Sequence, residues 1–544
     1  MRFAFCILAG ACLSAVLVGA GVQTVNAQTP SIPATTDSAP LWTERVLLQS
    51  TPPGPYRVRT TVTPRTVSGP HVAAVFHLNY NSVTHAGFVR GDGSDAAVIH
   101  PRQKDSYGYL SPGWCRNSLA EMYGSGVDTM LVAWWTTPYM VPDPQQWHRW
   151  TWYGMKAMIA SAQARQKKGL PTPRFAPRIE GGALEGKNAA GYNVDLQTPA
   201  GRAWLYTMVR DFYSLVPPAL RATDKTGRPL VTLTPLPACP PQGFSPDVLN
   251  YLRLRWAEDF GEPALCVATL APEQFPNADL ASYPAVTNGR AGTGDMSVIR
   301  PGTVSGGDSM DEPRQNGTLY KTRWEGLLGQ NPARRPDWVV LNSWNNWQTG
   351  TAIAPSRELG TRDLEQTRRF TTLLRAKRQL PPRTAFTGAS AVSVSFTDAS
   401  APLSRGLTPV VVSDGPLRPA QVGGSACLEV LPGSFLYLNV DDGFFFDNEG
   451  LISVTLEYWD EGTGSASPQY DSTSRNIPDQ QGAYKQALPI AFTNTKMWKT
   501  HTFVLSDARF VGRENGGADM RFSVSPGSSP LRVRLVSLSR QRVP

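Results

Sequence analysis

Cysteine is scarce in this chain: six in 544 residues, and two of them, Cys6 and Cys12, lie in the first apolar run. The other four, Cys115, Cys239, Cys266 and Cys427, show no CxxC spacing, which excludes a zinc ribbon and a thioredoxin-type redox pair. In an oxidising compartment one bridge, Cys239 to Cys266, is open to them. The other reading is four small buried hydrophobes. The six histidines, at 71, 77, 85, 100, 148 and 501, form no HxxxH pair, so no metal site and no cofactor is expected. No GxGxxG follows the first strand-like segment, which argues against a dinucleotide fold. Charged residues make up only 17%, and Lys+Arg exceed Asp+Glu by 52 to 43 without any basic run, so no nucleic-acid partner is expected. Beyond the N-terminus no apolar run approaches the ~18 residues of a membrane span.

What is present starts with an export signal. The stretch "MRFAFCILAGACLSAVLVGAGVQTVNAQ" has one Arg, a glycine-interrupted apolar run and Val25-Asn26-Ala27, which fits cleavage after Ala27. A membrane anchor is the rival reading, but the run leads into "QTPSIPATTDSAP". The expectation is a secreted or periplasmic monomer with no membrane contact after cleavage. Residues 28–70 read as a Pro/Ser/Thr-rich linker and lead-in.

From residue 71 to about 385, apolar strand-like runs alternate with helical ones. "HVAAVFHLNY", "VDTMLVAWW", "PRFAPRIEGG", "GRPLVTLTPLP", "PALCVATL", "MSVIRPG" and "DWVVLNSW" read as strands. "QQWHRWTWYGMKAMIASAQARQKKG", "TPAGRAWLYTMVRDFYSLVP", "SPDVLNYLRLRWAEDFG" and "TRDLEQTRRFTTLLRAKRQL" read as helices, with Asp195 or Ser245 as candidate caps. Seven or eight such repeats over some 310 residues point to a (β/α)8 TIM barrel. Residues 390–544 instead show seven short strands between Gly/Asp/Ser/Pro turns, a C-terminal all-β sandwich.

In a barrel, chemistry belongs to the C-terminal ends of the strands. Those ends carry His77, Asn79 and Tyr80; Trp134 and Trp135; Glu180 before Gly181-Gly182; Arg300, followed by a loop with Asp308, Asp311 and Glu312; and Trp344, Asn345, Asn346 and Trp347. Indole faces stack on sugar rings and amides fix hydroxyl groups, so the set suits a glycan. Trp134 and Trp135 point to opposite faces of one strand, so one of them belongs to the core. Trp344, Trp347 and His77 each have a packing alternative. Glycoside hydrolysis asks for two carboxyl groups about 5–10 Å apart. Glu180 is the first candidate, with an arginine ion pair as its alternative role. Asp308 and Asp311 are candidates for the second acid, or members of a solvated loop. Glu185, Asp195 and Asp211 rank below them.

The order "GVDTMLVAWW", "GRPLVTL", "VIRPGTV", "RQNGTLYKTRWEGLL", "DWVVLNSWNNWQTGTAIAPS" resembles glycoside hydrolase family-99-like barrels over roughly residues 71–380. In that family the last loop runs Ser-Trp/Phe-Asn-Glu-Trp-x-Glu-Gly-Thr, and its two glutamates carry catalysis in the endo-mannosidase branch. This chain keeps Ser343, Trp344, Asn345, Trp347, Gly350 and Thr351 but puts Asn346 and Thr349 where the glutamates stand, and Ala354 where a further acid precedes the proline. Neither Asn nor Thr serves as a carboxylic acid or a carboxylate base. The resemblance therefore implies a polysaccharide partner and either a hydrolase with displaced acids, Glu180, Asp308 and Asp311, or a binder that does not cut. The C-terminal half, with "FLYLNVDDGFFF" and "VTLEYWDEGTGSASPQYDS", resembles sandwich modules appended to secreted polysaccharide-active proteins. Asp441, Asp442 and Asp460 there are hard-oxygen candidates for a structural calcium, or turn residues making Asx bonds.

Overall fold

The computed structural model describes residues 42–57, 70–102, 107–141, 147–185, 194–236, 239–261, 264–283, 293–303, 313–380, 382–398, 400–448, 450–476, 480 and 482–541. The export-signal reading, most of the lead-in, and Asp308, Asp311 and Glu312 lie outside them.

The chain enters through α1 (Glu44–Gln49), then runs β1 (His71–Phe76), α2 (Pro112–Gly124), β2 (Thr129–Trp134), α3 (Trp147–Lys167), β3 (Arg174–Ile179), α4 (Pro199–Leu215), β4 (Leu230–Leu233), α5 (Asp247–Asp259), β5 (Cys266–Thr269), β6 (Leu280–Tyr283), β7 (Thr293–Gly294), β8 (Met296–Ile299), α6 (Thr318–Gly329), β9 (Trp338–Leu341) and α7 (Arg362–Arg375). Eight of the strands are parallel neighbours in the order β6-β5-β4-β3-β2-β1-β9-β8, and β7 pairs antiparallel with β6. The ring closes where Asp295 N donates to Ala281 O at 3.0 Å. This is the (β/α)8 barrel that the alternation implied. Residues 270–279, between β5 and β6, carry turns instead of a helix, and β6 was not legible because "LASY" is short and barely apolar.

Both faces of a barrel strand are buried, so the strands read as continuous apolar runs. Ala73, Val75, Leu131, Ala133, Ala176, Cys266, Ala268, Met296, Trp338 and Val340 fill the interior. The alternate residues, such as Val72, Phe76, Met130, Val132, Trp134, Phe175 and Val339, pack against the helices. Helices start where side chains can satisfy free N–H groups. Ser111 Oγ accepts from Trp114 N at 3.3 Å and Thr198 Oγ1 from Gly201 N at 3.0 Å, each followed by Pro at the first helical position. The α4 cap is thus Thr198, while Asp195 closes an Asx turn on Gln197 N. Ser245 Oγ accepts from Asp247 N at 3.3 Å just ahead of α5.

The lead-in is more than a linker. Leu47 of α1 is fully buried, and Arg210 of α4 reaches Leu48 O at 3.2 Å and Ser50 Oγ at 2.6 Å. No disulfide is formed: all four described cysteines are free, and three of them are buried. The Cys239–Cys266 bridge is therefore not made. Cys266 sits on a barrel strand as a small interior residue, where burial raises its thiol pKa.

The C-terminal region comprises β10 (Ala391–Ser395), β11 (Leu403–Arg405), β12 (Leu407–Val410), β13 (Arg418–Val422), β14 (Ser425–Val430), β15 (Phe435–Val440), β16 (Leu451–Asp460), β17 (Ser465–Tyr470), β18 (Lys485–Gln486), β19 (Ile490–Ala491), β20 (Met497–Leu505), β21 (Met520–Val524) and β22 (Leu531–Gln541). They form a seven-stranded and a six-stranded sheet packed as a sandwich over one core. The strands beyond the seven expected are short, and three of them carry a proline, Pro409, Pro419 and Pro468.

Barrel and sandwich are joined through Asp447, whose side chain is fully buried. Its Oδ1 meets Arg334 Nη1 at 3.0 Å and Arg509 Nε at 2.9 Å, and its Oδ2 accepts from Asn331 N at 2.7 Å.

Candidate functional site

The barrel mouth is built on the period of two. Residues 174, 176, 178 and 180 share one face of β3 and its extension, so Arg178 and Glu180 project together. Arg178 Nη1 donates to Glu180 Oε1 at 2.5 Å, and both side chains are nearly buried. Burial raises the Glu180 carboxyl pKa, and the Arg178 charge opposes that shift. His77, on the interior face of β1's extension, feels the same guanidinium. Burial, then the Arg178 charge, pushes it from its ordinary value of 6.5 down to about 3, so it stays neutral. His77, Arg178 and Glu180 therefore share one throat above the packed interior.

Glu180 thus takes the ion-paired role that was its alternative. The spacing in "RFAPRIE" already places Arg178 on Glu180's face, two residues away on one strand. Of the two glycines after Glu180, Gly182 makes room for the protein itself. A Cβ on Gly182 would lie 2.8 Å from Trp135 Cζ3, so the indole covers that turn.

The loop after β9 is tied to the end of β1. Asn345 grips the His77 backbone: its Oδ1 accepts from His77 N and its Nδ2 donates to His77 O, both at 2.8 Å. The Tyr80 hydroxyl donates to Asn346 Oδ1 at 3.1 Å and accepts from Trp347 N at 3.0 Å. Trp347 Nε1 donates to Tyr107 Oη at 2.9 Å. Thr349 N donates to Asn346 Oδ1 at 3.3 Å, so the Asn346 oxygen is fully used and its amide nitrogen is the group left to meet a ligand. The opening stretch of this loop holds no carboxylate.

In fold, the barrel resembles glycoside hydrolase family 99. The endo-alpha-mannosidase of that family from Bacteroides thetaiotaomicron is 15% identical, with a TM-score of 0.40 over 56% of this chain and 98% of that one when bound to bis-tris-propane. A second structure of it gives 15%, 0.38, 57% and 99%. The sandwich resembles a carbohydrate binding module of family 29 at 13% identity and TM-score 0.18, covering 28% of this chain and 92% of that one. It also resembles the C-terminal family 6 module of LamC from Zobellia galactanivorans, at 8% and 0.17, covering 27% and 98%. These are likenesses of fold. The chain matches no protein-family model and no curated protein.

The candidate residues sort by depth. Trp134 is the core member of its pair: it is wholly buried, edge-on to Trp152 and Phe212 on the helix side. Trp135 is 39% exposed at the mouth. His77, Tyr80, Trp344, Asn345 and Trp347 are buried and hold the loops rather than present faces to a ligand. Asn79 and Asn346 are half-buried, and Thr349 and Arg300 exposed. Asn79 Oδ1 is buried with no hydrogen bond. Asp211 lies in α4, where it bonds Arg210 and Tyr139 N, and burial raises it to about 6. Trp344 and Trp347 line the floor of a lateral cavity of about 350 Å³ between α2 and the start of α7, with Tyr107, Trp114 and Glu121. Burial alone raises the Glu121 carboxyl pKa.

Two of the calcium candidates of the sandwich, Asp460 and Asp441, accept hydrogen bonds from the chain. Asp460 accepts from Thr493 N at 2.7 Å, Thr495 N at 3.1 Å and Lys499 Nζ at 2.7 Å. Asp441 Oδ1 accepts from Gly443 N at 2.9 Å and from the Thr384 hydroxyl. No described helix is long and apolar enough to cross a membrane, and no group of three His, Cys, Asp or Glu among the described residues is placed to hold a metal.

Proposed function

We propose that this is an exported polysaccharide-binding protein whose barrel mouth engages a glycan without the hydrolytic acid pair of the barrels it resembles. One observation carries the reading. Where that family places its glutamates, Asn346 is held by Tyr80 and Thr349 is exposed, while the one described tip carboxylate, Glu180, is neutralised by Arg178. Trp135 supplies a stacking face, the Asn346 amide a fixed polar contact and the unbonded Asn79 side chain a second polar group, a set that suits a sugar ring. Export through residues 1–27 is part of the proposal, and the mature chain should begin at Gln28.

A hydrolase is the second reading, favoured by the raised pKa of Glu180, which suits a general acid. It needs a second carboxyl from Asp308 or Asp311. Incubating the mature protein with a panel of polysaccharides separates the two. Binding that weakens about tenfold in Trp135→Ala, the loss of one aromatic contact, with no new reducing ends, fits the binder. New reducing ends abolished in Glu180→Gln would establish the hydrolase instead.

A further inference from the structure

The lateral cavity between α2 and the start of α7 has no part in the reading of the barrel mouth. Trp114, Asn117, Ser118 and Glu121 follow one another at three- and one-residue steps, so a single face of α2 lines it. A helix turned toward its neighbour is normally apolar on that face. Here three of the four side chains are polar. Ser118 is buried and Glu121 half-buried. Among the described residues, the side chains of Asn117, Ser118 and Glu121 make no hydrogen bond and no ion pair. Polar groups turned inward without a protein partner are uncommon and costly, and a ligand is one way to satisfy them.

Glu121 sets the charge of that ligand. Burial alone acts on its carboxyl, so no guanidinium or ammonium group offsets it. Arg102 also lines the cavity, but its side chain is exposed and pairs with no acid among the described residues. The walls are aromatic. The Tyr107 and Trp114 rings lie 4.9 Å apart, and Trp347 stands edge-on to Tyr107 at 5.8 Å. Burial first, and the Glu121 charge last, raise the Tyr107 hydroxyl pKa, which places the carboxyl beside that ring. An ammonium group is drawn both to a carboxylate and to aromatic faces, whereas a neutral or anionic ligand would leave the Glu121 charge unanswered. The volume of about 350 Å³ stands at the lower end of small-molecule sites and suits one ring rather than a chain.

We infer that this cavity binds a protonated primary amine carried on a ring-sized body, with Glu121 as its counter-ion. Asn117 and Ser118 supply hydrogen bonds, and Trp114 and Tyr107 form the apolar wall. The site is distinct from the barrel mouth, since neither Trp135 nor Asn79 lines it. The loop after β9 touches both: Asn346 belongs to the mouth, and Trp344 and Trp347 floor the cavity.

The test is calorimetric titration of the mature chain near pH 7. Glucosamine and cyclohexylamine are the probes, and glucose and N-acetylglucosamine the uncharged controls. At least one amine should bind at one site per chain, and neither control should compete with it. Binding of glucosamine assigns a sugar as the carrier, and binding of cyclohexylamine alone assigns a hydrocarbon. Glu121→Gln should weaken the amine about tenfold, the worth of one charge-assisted hydrogen bond. Ala354→Lys places a tethered ammonium in the same cavity and should abolish binding, which decides the matter if the first variant does not fold. The polysaccharide panel reads the mouth and this titration reads the cavity, so each reading can fail alone. No amine binding by the wild-type chain, equal binding of the controls, or undiminished amine affinity in either folded variant would overturn the inference.

Discussion

Acid should destabilise the barrel through a single histidine. In the unfolded chain His77 takes up a proton near pH 6.5, whereas in the folded barrel it does so only near pH 3, because it is buried beside Arg178. A histidine whose folded pKa is depressed adds stability that is fully present above pH 6.5 and is lost as pH falls toward 3, since the unfolded chain then binds the extra proton. At about 1.4 kcal/mol per unit, the full span is worth roughly 5 kcal/mol, and by pH 4.5 roughly 3 kcal/mol of it is gone. The perturbation is His77→Gln, which removes the titration and keeps a neutral polar side chain. Of the 15 tryptophans, only Trp459 and Trp498 lie in the sandwich, so tryptophan fluorescence reports mainly on the barrel. Urea midpoints at pH 7.5 and 4.5 give the stability difference for each protein. The wild-type barrel should lose about 3 kcal/mol more than the variant between the two pH values. Glu180 titrates in the opposite sense, because its folded pKa is raised, but it is common to both proteins and cancels in the comparison. Parallel pH profiles for wild type and variant, within about 0.5 kcal/mol, would refute the assignment of a neutral His77 against Arg178.

Asp447→Ala should cost about 3–5 kcal/mol, because it strands Arg334 and Arg509 without their shared carboxylate. Calorimetry should then show barrel and sandwich melting as two separate transitions, and a single unshifted transition would contradict the joint described above. The mature chain, denatured without reductant, should react with four equivalents of a thiol reagent. Two equivalents would mean a bridge. The tenfold loss of glycan affinity in Trp135→Ala completes the set.

The strand tips show how far one dimension reaches. The period of two in "HVAAVF" and "TMLVAW" set which residues share a face, and it told Trp134 from Trp135 as members of opposite faces. It did not say which face was open. That depended on Gly182, whose bare backbone admits the Trp135 ring. The pair Arg178–Glu180 was within reach of the same spacing rule, because two residues apart on a strand means side by side. Tyr80 on Asn346 was not, since 266 residues separate them and only closure of the barrel brings β1 beside β9. The short strands β11, β18 and β19 were illegible because their identity rests on ladder partners and not on their own apolar content.

By itself the sequence determined the order of helices and strands, which strand residues share a face, and the absence of carboxylates from residues 342–355 after β9. Each of these follows from local periodicity or from residue chemistry alone. Only the tertiary structure decided that Trp344 and Trp347 are buried and that Glu180 is tied to Arg178. Those depend on which side chains meet across hundreds of residues, and burial and pairing are properties of that meeting rather than of any stretch of chain.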